Sequence, residues 1–140
     1  MAARSWICPD CGRQFARSRQ AHECAPAMTL DEYLANGPPF ERPVFEAVHG
    51  FITTELGPVH VEPVSVGIFL KRSGSWVELR PLTRWVAMSF PLARTVRSSA
   101  IARKSVDTGR RIWHWVNLAS PEDLTDEVRD FLAESYALDP

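Results

Sequence analysis

The chain has only three cysteines, Cys8, Cys11 and Cys24, and all of them lie within its first 24 residues. A disulfide would leave one odd thiol, so a disulfide framework is disfavoured. No apolar run approaches the length of a membrane-spanning helix, and the first residues lack the apolar core of a secretory signal. We therefore expect a cytoplasmic protein with reduced thiols and no membrane partner.

The sequence also lacks the short motifs of common enzyme classes. It has no nucleophile elbow, no phosphate-binding glycine loop and no dinucleotide fingerprint. The nearest match to the Glu-x-Lys of metal-dependent nucleases is Glu78-Leu79-Arg80, where arginine replaces the titratable lysine. We therefore expect no catalytic residues, no small-molecule substrate and a protein that is not an enzyme.

Two histidines are the only hints of an active site. In a strand, His60-Val61-Glu62 would place an imidazole and a carboxylate on one face, as a base with its orienting acid. We interpret this pair as a solvent-facing polar stripe on an edge strand, and His114 as a hydrogen-bonded histidine of the sheet. An enzyme that uses His60 or His114 is the weakest of the alternatives.

The most specific motif is the spacing of Cys8, Cys11, His22 and Cys24, which reads Cys-x2-Cys-x10-His-x1-Cys. These four side chains are the ligand set of a closed tetrahedral zinc site. A redox role for Cys8 and Cys11 is the weaker alternative, since no βαβ unit surrounds them. We predict one structural Zn²⁺ per chain, without an open position for catalysis.

The residues around the cysteines are typical of a small zinc finger. Gly12 follows Cys11 and can adopt a positive φ, and Phe15 lies where a finger usually places its core aromatic. Residues 17–21 are expected to form one or two helical turns. We place the finger at residues 1–27 and an α+β domain at residues 28–140.

Charge is strongly segregated along the chain, although the net charge is only −1. Residues 71–111 hold ten basic residues against two acidic ones, while residues 120–140 hold seven acidic residues against Arg129. One interpretation is a basic face for nucleic acid. The other, which we weigh somewhat higher, is that acidic helices pack beside a basic sheet and neutralise it.

Hydrophobic periodicity predicts two early helices, at residues 30–35 after a capping box at Thr29 and at residues 42–56. Strands are expected from residue 59 onward, with Pro63 at an edge or bend, and residues 93–111 are expected to be irregular. A last helix begins after Ser120-Pro121. The fold class is therefore α+β: a small CCHC-type zinc finger followed by a mainly antiparallel sheet of four to five strands packed with N- and C-terminal helices.

The body of the chain also contains an ordered set of short motifs: Leu56-Gly57-Pro58-Val59, Val66 to Arg72, Trp76-Val77-Glu78-Leu79, Trp113-His114, and Asp123-Leu124 with Phe131-Leu132 to Tyr136. In these motifs, residues 31–136 resemble the bacterial domain-of-unknown-function family numbered 5655. Several members of this family also carry a Cys-x2-Cys-Gly-Arg-x-Phe stretch and a His-x-Cys pair near the N-terminus. The matching residues in this chain are Cys8, Cys11, Gly12, Arg13, Phe15, His22 and Cys24. The resemblance implies a fold class and a stand-alone domain but no reaction. Relatives attached to nuclease-like regions suggest nucleic acid by analogy alone.

The function we favour from sequence is binding of nucleic acid. The predicted phosphate contacts are Arg13, Arg17 and Arg19 of the finger, and Arg94, Arg97, Arg103, Lys104, Arg110 and Arg111. Trp76, Trp85, Trp113 and Trp115 lie among or next to the arginines, and aromatic side chains beside a basic groove can stack unpaired bases. The pair Trp113 and Trp115 is the best candidate for an exposed surface. The alternative is a protein-interaction module with a purely structural zinc.

Overall fold

The structure is a computed structural model that describes residues 5–21 and 29–138. Two short strands precede the helices, and six longer strands follow them. The elements are β1 (Trp6–Ile7), β2 (Gln14–Phe15), α1 (Leu30–Ala35), α2 (Glu41–Phe51), a π-helix (Ile52–Leu56), β3 (His60–Val64), β4 (Gly67–Lys71), β5 (Ser75–Pro81), β6 (Val86–Leu92), β7 (Ser105–Asp107), β8 (Ile112–Leu118), a 3-10 turn (Pro121–Asp123) and α3 (Asp126–Leu138).

The main sheet has six antiparallel strands in the order β3-β4-β5-β6-β8-β7. The α+β class is confirmed, but the expected four to five strands are one too few. The unexpected strand is β7, which lies in the segment that we expected to be irregular. Its three side chains are all exposed, so it carries no apolar alternation, and only its pairing with β8 makes it a strand. Pro63 lies in β3, an edge strand of this sheet.

Helix α3 packs on one face of the sheet. Phe131 stacks on Phe90 of β6 with ring centroids 6.4 Å apart. The hydroxyl of Ser135 accepts a hydrogen bond from the indole N–H of Trp76 at 2.9 Å and donates one to the carbonyl of Pro91 at 2.5 Å. Alternate residues of four strands fill the core beneath the helices, among them Ile68, Leu70, Leu79, Met88, Phe90 and Leu118.

The long second helix differs from its prediction in its last turn. Residues 42–56 were expected to form one α-helix, but α2 ends at Phe51 and continues as a π-helix. The N–H of Gly57 donates to the carbonyl of Ile52 at 2.8 Å, an i→i+5 bond. Gly57 has φ +150°, and a β-carbon there would lie 2.5 Å from the hydroxyl of Tyr136 on α3. The chain therefore leaves the helix in a conformation that only glycine permits at this position.

The C-terminal helix begins later than the first helix-start signal. Ser120 and Asp123 do form a reciprocal capping box, but it opens only a 3-10 turn. Leu124 then breaks the turn and is buried. The N–H of Val128 donates to the hydroxyl of Thr125 at 3.3 Å, so Thr125 is the residue that caps the start of α3. Leu124 has φ −80° and ψ 70°, outside the helical region, so the first helix-start signal does not continue into α3.

Candidate functional site

The N-terminal segment is a β-hairpin whose turn carries the first cysteine pair. The N–H of Cys8 donates to the carbonyl of Arg13 at 2.9 Å, and the N–H of Gly12 donates to the carbonyl of Cys8 at 2.8 Å. Gly12 has φ +76°, as predicted. Both cysteines are buried, at 3% and 5% exposure for Cys8 and Cys11. The turn therefore has the tight form that a pair of zinc-binding thiolates requires.

The other two predicted ligands, His22 and Cys24, lie outside the described residues. Within residues 5–21 and 29–138, no group of three or more His, Cys, Asp or Glu side chains is arranged to hold a metal ion. Only two of the four predicted ligands belong to those ranges, so the zinc site stays a prediction. The hairpin turn, with its two buried cysteines, fits the half of the zinc site that Cys8 and Cys11 would supply.

The hairpin also has a small core of its own. Phe15 is buried beside the cysteines, and its ring centroid lies 6.1 Å from that of Trp6. This confirms Phe15 as the core aromatic of the segment. The predicted helical turns at residues 17–21 are wrong, because the described residues form one turn, closed by the N–H of Gln20 and the carbonyl of Arg17 at 3.3 Å.

Glu62 of β3 joins the hairpin to the main sheet. Its carboxylate is buried and accepts hydrogen bonds from the backbone N–H of Gln14 at 2.8 Å, from Nε of Arg13 at 2.8 Å and from Nζ of Lys71 at 2.9 Å. Burial alone raises the pKa of the Glu62 carboxyl, but these three bonds outweigh it and hold the pKa below its ordinary value. Nζ of Lys71 also donates to the carbonyl of Gln14.

A row of side chains crosses the sheet on the face opposite α3. Strand pairing aligns Glu62, Phe69, Glu78, Ser89 and Trp115 in successive strands from β3 to β8. At the far end Nζ of Lys104, the residue before β7, lies 5.0 Å from the Trp115 ring centroid. Four strand spacings of about 4.8 Å separate Glu62 from Trp115, so the row spans about 19 Å.

Trp113 lies beside Trp115 on the same face, and both are half-buried. His114 between them faces α3 and is fully buried, as the alternation of side chains predicted. We call the face that carries Phe69, Glu78, Trp113 and Trp115 the tryptophan face. The prediction that Trp113 and Trp115 form an exposed pair holds in part, since each keeps a partly exposed side chain on a face that α3 does not cover.

The other two tryptophans have different environments. Trp76 is 1% exposed, because a bulge between β4 and β5 turns it toward α3. Its suggested role in stacking bases is therefore wrong. Trp85 is exposed in the connection between β5 and β6 and is not a member of the row.

Three of the nine predicted phosphate contacts are held by the protein itself. Arg13 is bonded to Glu62. Nε and Nη2 of Arg94 donate to both carboxylate oxygens of Glu134 on α3, at 3.0 and 2.9 Å, and this bond lowers the pKa of Glu134. Nη2 of Arg111 donates to the carbonyl of Leu138 at 3.2 Å. The pair of Arg94 and Glu134 realises part of the charge neutralisation that the sequence suggested between the basic segment and the acidic helix.

The remaining six predicted contacts belong to exposed residues. Arg17, Arg19, Arg97, Arg103, Lys104 and Arg110 are exposed. Within the described part of the chain, none of their side chains makes a salt bridge at 4.0 Å or less. Lys104 lies at the β7 end of the tryptophan face, and Arg17 and Arg19 belong to the hairpin at the β3 end. Arg97 and Arg103 instead line a pocket with Val96 and Ile101 of the main core.

The histidines have structural environments in this fold. Nε2 of His114 accepts a hydrogen bond from the N–H of Val96 at 3.1 Å, and its other ring nitrogen lies 3.0 Å from the carbonyl of Ile112. Burial lowers the pKa of His114 below its ordinary value. His60 and Glu62 do share a face, but the expected solvent-facing stripe is wrong for Glu62, because the docked hairpin buries it. Nε2 of His60 lies 3.6 Å from this carboxylate, which three other donors already occupy.

Sequence reasoning missed one buried polar pair. The hydroxyl of Tyr33 on α1 donates to Oε2 of Glu41 at 2.5 Å, and Glu41 is 1% exposed. Oε1 of Glu41 has no hydrogen-bond partner among the described residues. Burial raises the pKa of Glu41, while the bond from Tyr33 acts in the opposite direction. Glu41 lies at the polar start of a helix, so no sequence signal marks it as buried.

The fold defines an α+β domain with an antiparallel six-stranded sheet, joined by a buried carboxylate to an N-terminal cysteine hairpin. Residues 30–139 match the family model described as Domain of unknown function (DUF5655). The chain belongs to this family.

Two further comparisons gave no match. No curated protein is significantly similar to the chain. No solved structure is significantly similar to it either. In the part of the chain that the structure describes, none of the helices is both long enough and apolar enough to cross a membrane.

Proposed function

We propose that the chain binds single-stranded nucleic acid on the tryptophan face. The observation that carries this proposal is the pairing of a partly exposed aromatic ring with a cation, Trp115 beneath Lys104, next to Trp113 on the same strand. Aromatic rings on an open sheet stack unpaired bases, and neighbouring cations neutralise the phosphates. Lys104 lies at one end of this face, and the hairpin that carries Arg17 and Arg19 lies at the other end.

The exposed cations are the residues we propose for phosphate contact. Lys104 serves the β7 end, and Arg17 and Arg19 serve the β3 end. Arg97, Arg103 and Arg110 would add positive charge around the β7 edge of the sheet, whereas Arg13, Arg94 and Arg111 act through the structure that they stabilise. Glu78 lies inside the row and opposes the binding of a polyanion.

The zinc that Cys8, Cys11, His22 and Cys24 are proposed to hold has a structural part in this function. It would fix the hairpin turn that delivers Arg13 and Gln14 to Glu62. Metal analysis of the purified chain is expected to find about one zinc per molecule, as for a four-ligand site. Substitution of Cys8 by serine is expected to abolish stoichiometric binding.

A titration tests nucleic-acid binding directly. Fluorescence anisotropy of a labelled thymidine strand of about 12 nucleotides, and of the matching duplex, is measured between about 50 and 200 mM salt. We expect the single strand to bind more tightly and with a steep loss of affinity as salt rises. Absence of binding at low salt would refute the proposal.

Matched variants test whether nucleic acid binds on the tryptophan face. Trp115→Ala is expected to weaken binding by about 1–3 kcal/mol, the value of one stacked base. Trp85→Ala, which removes a tryptophan outside the row, is expected to leave binding unchanged. Lys104→Ala is expected to reduce the slope of log affinity against log salt concentration by about 1, as for the loss of one phosphate contact. Glu78→Gln is expected to strengthen binding, because it removes a negative charge from the path of the phosphates.

The alternative proposal is a protein-interaction module that uses an apolar edge of the sheet. Val106 on the edge strand β7 is 41% exposed and supports this alternative. An apolar docking surface lacks the steep salt dependence of phosphate contacts, so the same titration separates the two.

A further inference from the structure

A groove of about 1000 Å³ runs between α2 with its π-helical extension and α3, where the helices meet solvent. Small and apolar residues from the three segments line it: Ala47, Gly50, Phe51, Leu56 and Ala133. Phe51 and Leu56 are only partly buried by the fold. The groove therefore has an apolar floor that the described residues leave incompletely covered.

Gly50 shows how much room the groove holds. It lies in the last turns of α2, where glycine costs about 1 kcal/mol relative to alanine. A β-carbon built on Gly50 would meet no atom within 4 Å. The packing of this fold therefore does not require glycine here, and the space above it is available to a side chain from another molecule.

The rim of the groove is acidic. Glu46, Glu55, Asp126 and Asp130 line it from α2, the π-helix and α3, and all four are exposed. The one basic residue of the lining is Arg129, whose guanidinium lies 3.5 Å from Asp126 and 5.8 Å from the Phe51 ring. Four acids against one base give the rim a charge of −3.

We propose that this groove docks a basic amphipathic helix of a protein partner. A groove between two helices accommodates the apolar side chains that a third helix presents at i, i+3 or i+4 and i+7. Lysine and arginine on the flanks of that helix would face the acidic rim, so the charges are complementary. A π-helix at one wall agrees with this role, since such turns are frequent at functional sites.

This surface is separate from the one proposed for nucleic acid. The tryptophan face lies on the side of the sheet opposite α3, whereas the groove is bounded by α3. Its negative rim repels phosphates and attracts cations. The same domain would therefore bind a polyanion on one side and a basic protein segment on the other.

The probe for this proposal is a fluorescein-labelled peptide of about 18 residues, or five helical turns. It carries leucine at i, i+4 and i+7 spacing, with lysine and arginine on the remaining face. A second peptide has glutamate in place of every lysine and arginine. At low salt we expect the basic peptide to bind the full chain with a Kd of about 10 µM or tighter, and the acidic peptide not to bind.

Two variants of the chain test the location. Gly50→Leu fills the open space, and Glu46→Lys with Asp130→Lys reverses charge on both sides of the groove. Each is expected to weaken binding of the basic peptide at least about tenfold. The matched control is the double variant Asp31→Lys with Glu32→Lys, which makes the same charge change of +4 on α1 and is expected to leave binding unchanged. Thermal unfolding by circular dichroism checks that Gly50→Leu still folds.

Several results would overturn the proposal. They are absence of basic-peptide binding, equal binding of both peptides, or equal binding by the wild type and both variants. Loss of single-strand binding in Gly50→Leu would show instead that the groove belongs to the nucleic-acid site. Concentration-dependent dimerisation that Gly50→Leu abolishes would assign the groove to a second copy of the chain.

Discussion

At the scale of single residues, the most consequential contact is the one between Tyr33 and Glu41. It fixes α1 to the first turn of α2 through a carboxylate that water does not reach. Because burial raises the pKa of Glu41 above its value in the unfolded chain, its contribution to stability is complete at low pH and is lost as pH rises. The hydroxyl of Tyr33 limits this loss, since it donates to the charged form.

Tyr33→Phe is therefore expected to destabilise the fold in a pH-dependent manner. The free energy of unfolding should fall by about 1–3 kcal/mol at pH 8, where the carboxylate loses its donor. The loss should be smaller at pH 4, because the protonated carboxyl tolerates burial better. Urea unfolding of both proteins at the two pH values measures the difference. Tyr136→Phe, which removes the hydroxyl bonded to the carbonyl of Pro58, should show no such pH dependence.

At the scale of elements, two glycines with similar sequence contexts have opposite roles. A β-carbon on Gly67 in β4 would overlap the carbonyl oxygen of Leu79 in the neighbouring strand. The carbonyl oxygen of Leu79 belongs to the backbone of a central strand, so it cannot move aside without disturbing the pairing of β4 and β5. Gly50 in α2, by contrast, faces open space.

The two alanine substitutions are expected to shift stability in opposite directions. Gly67→Ala should lower the free energy of unfolding by about 1–3 kcal/mol because of overpacking. Gly50→Ala should raise it by about 0.5–1 kcal/mol, since it removes the entropic cost of glycine in a helix. Thermal unfolding of the two variants beside the wild type tests both. A destabilised Gly50→Ala would mean that the groove above this residue is filled in solution.

At the scale of the whole molecule, the chain has two separate hydrophobic clusters. Trp6, Cys8, Cys11 and Phe15 form the small one, and the large one lies between the main sheet and the helices. Three of the hydrogen bonds between them end on Glu62, and Gln14 also bonds to the carbonyl of Arg72 at 2.9 Å and accepts a bond from Lys71. The position of the hairpin therefore depends mainly on one buried carboxylate, and we expect the proposed zinc to order its turn.

Zinc removal is accordingly expected to release the hairpin without unfolding the domain. After addition of a chelator, backbone amide resonances of residues 5–21 should lose dispersion in NMR spectra. Resonances of the main sheet should remain, with shifts near Glu62, Lys71 and Arg72. The double variant Cys8→Ser, Cys11→Ser should show the released spectrum without a chelator. Loss of all dispersion would contradict this, because it would mean that the two clusters unfold together.

Much of the fold follows from local patterns that can be read in the sequence. The capping box at Thr29 opens α1 at the predicted residue, with the N–H of Glu32 donating to the threonine hydroxyl at 3.1 Å. Strands β4, β5, β6 and β8 lie where apolar and β-branched residues predict them. The positive φ of Gly12 and the burial of Phe15 follow from the spacing of the cysteines. These features depend on neighbours in the chain, so sequence is sufficient for them.

Only the tertiary structure decided the features that join distant segments. Strand β7 exists because residues 105–107 meet the edge of β8, and Trp76 is buried because a bulge turns it toward α3. Glu62 belongs to a polar stripe in the sequence, but docking of the hairpin encloses it with Arg13 and Lys71. Pairing, burial and charge compensation over tens of residues are determined by the packed chain as a whole. For that reason the sequence could propose cysteine ligands and a basic segment, whereas the row of Trp115 and Lys104 and the acidic groove appear only in three dimensions.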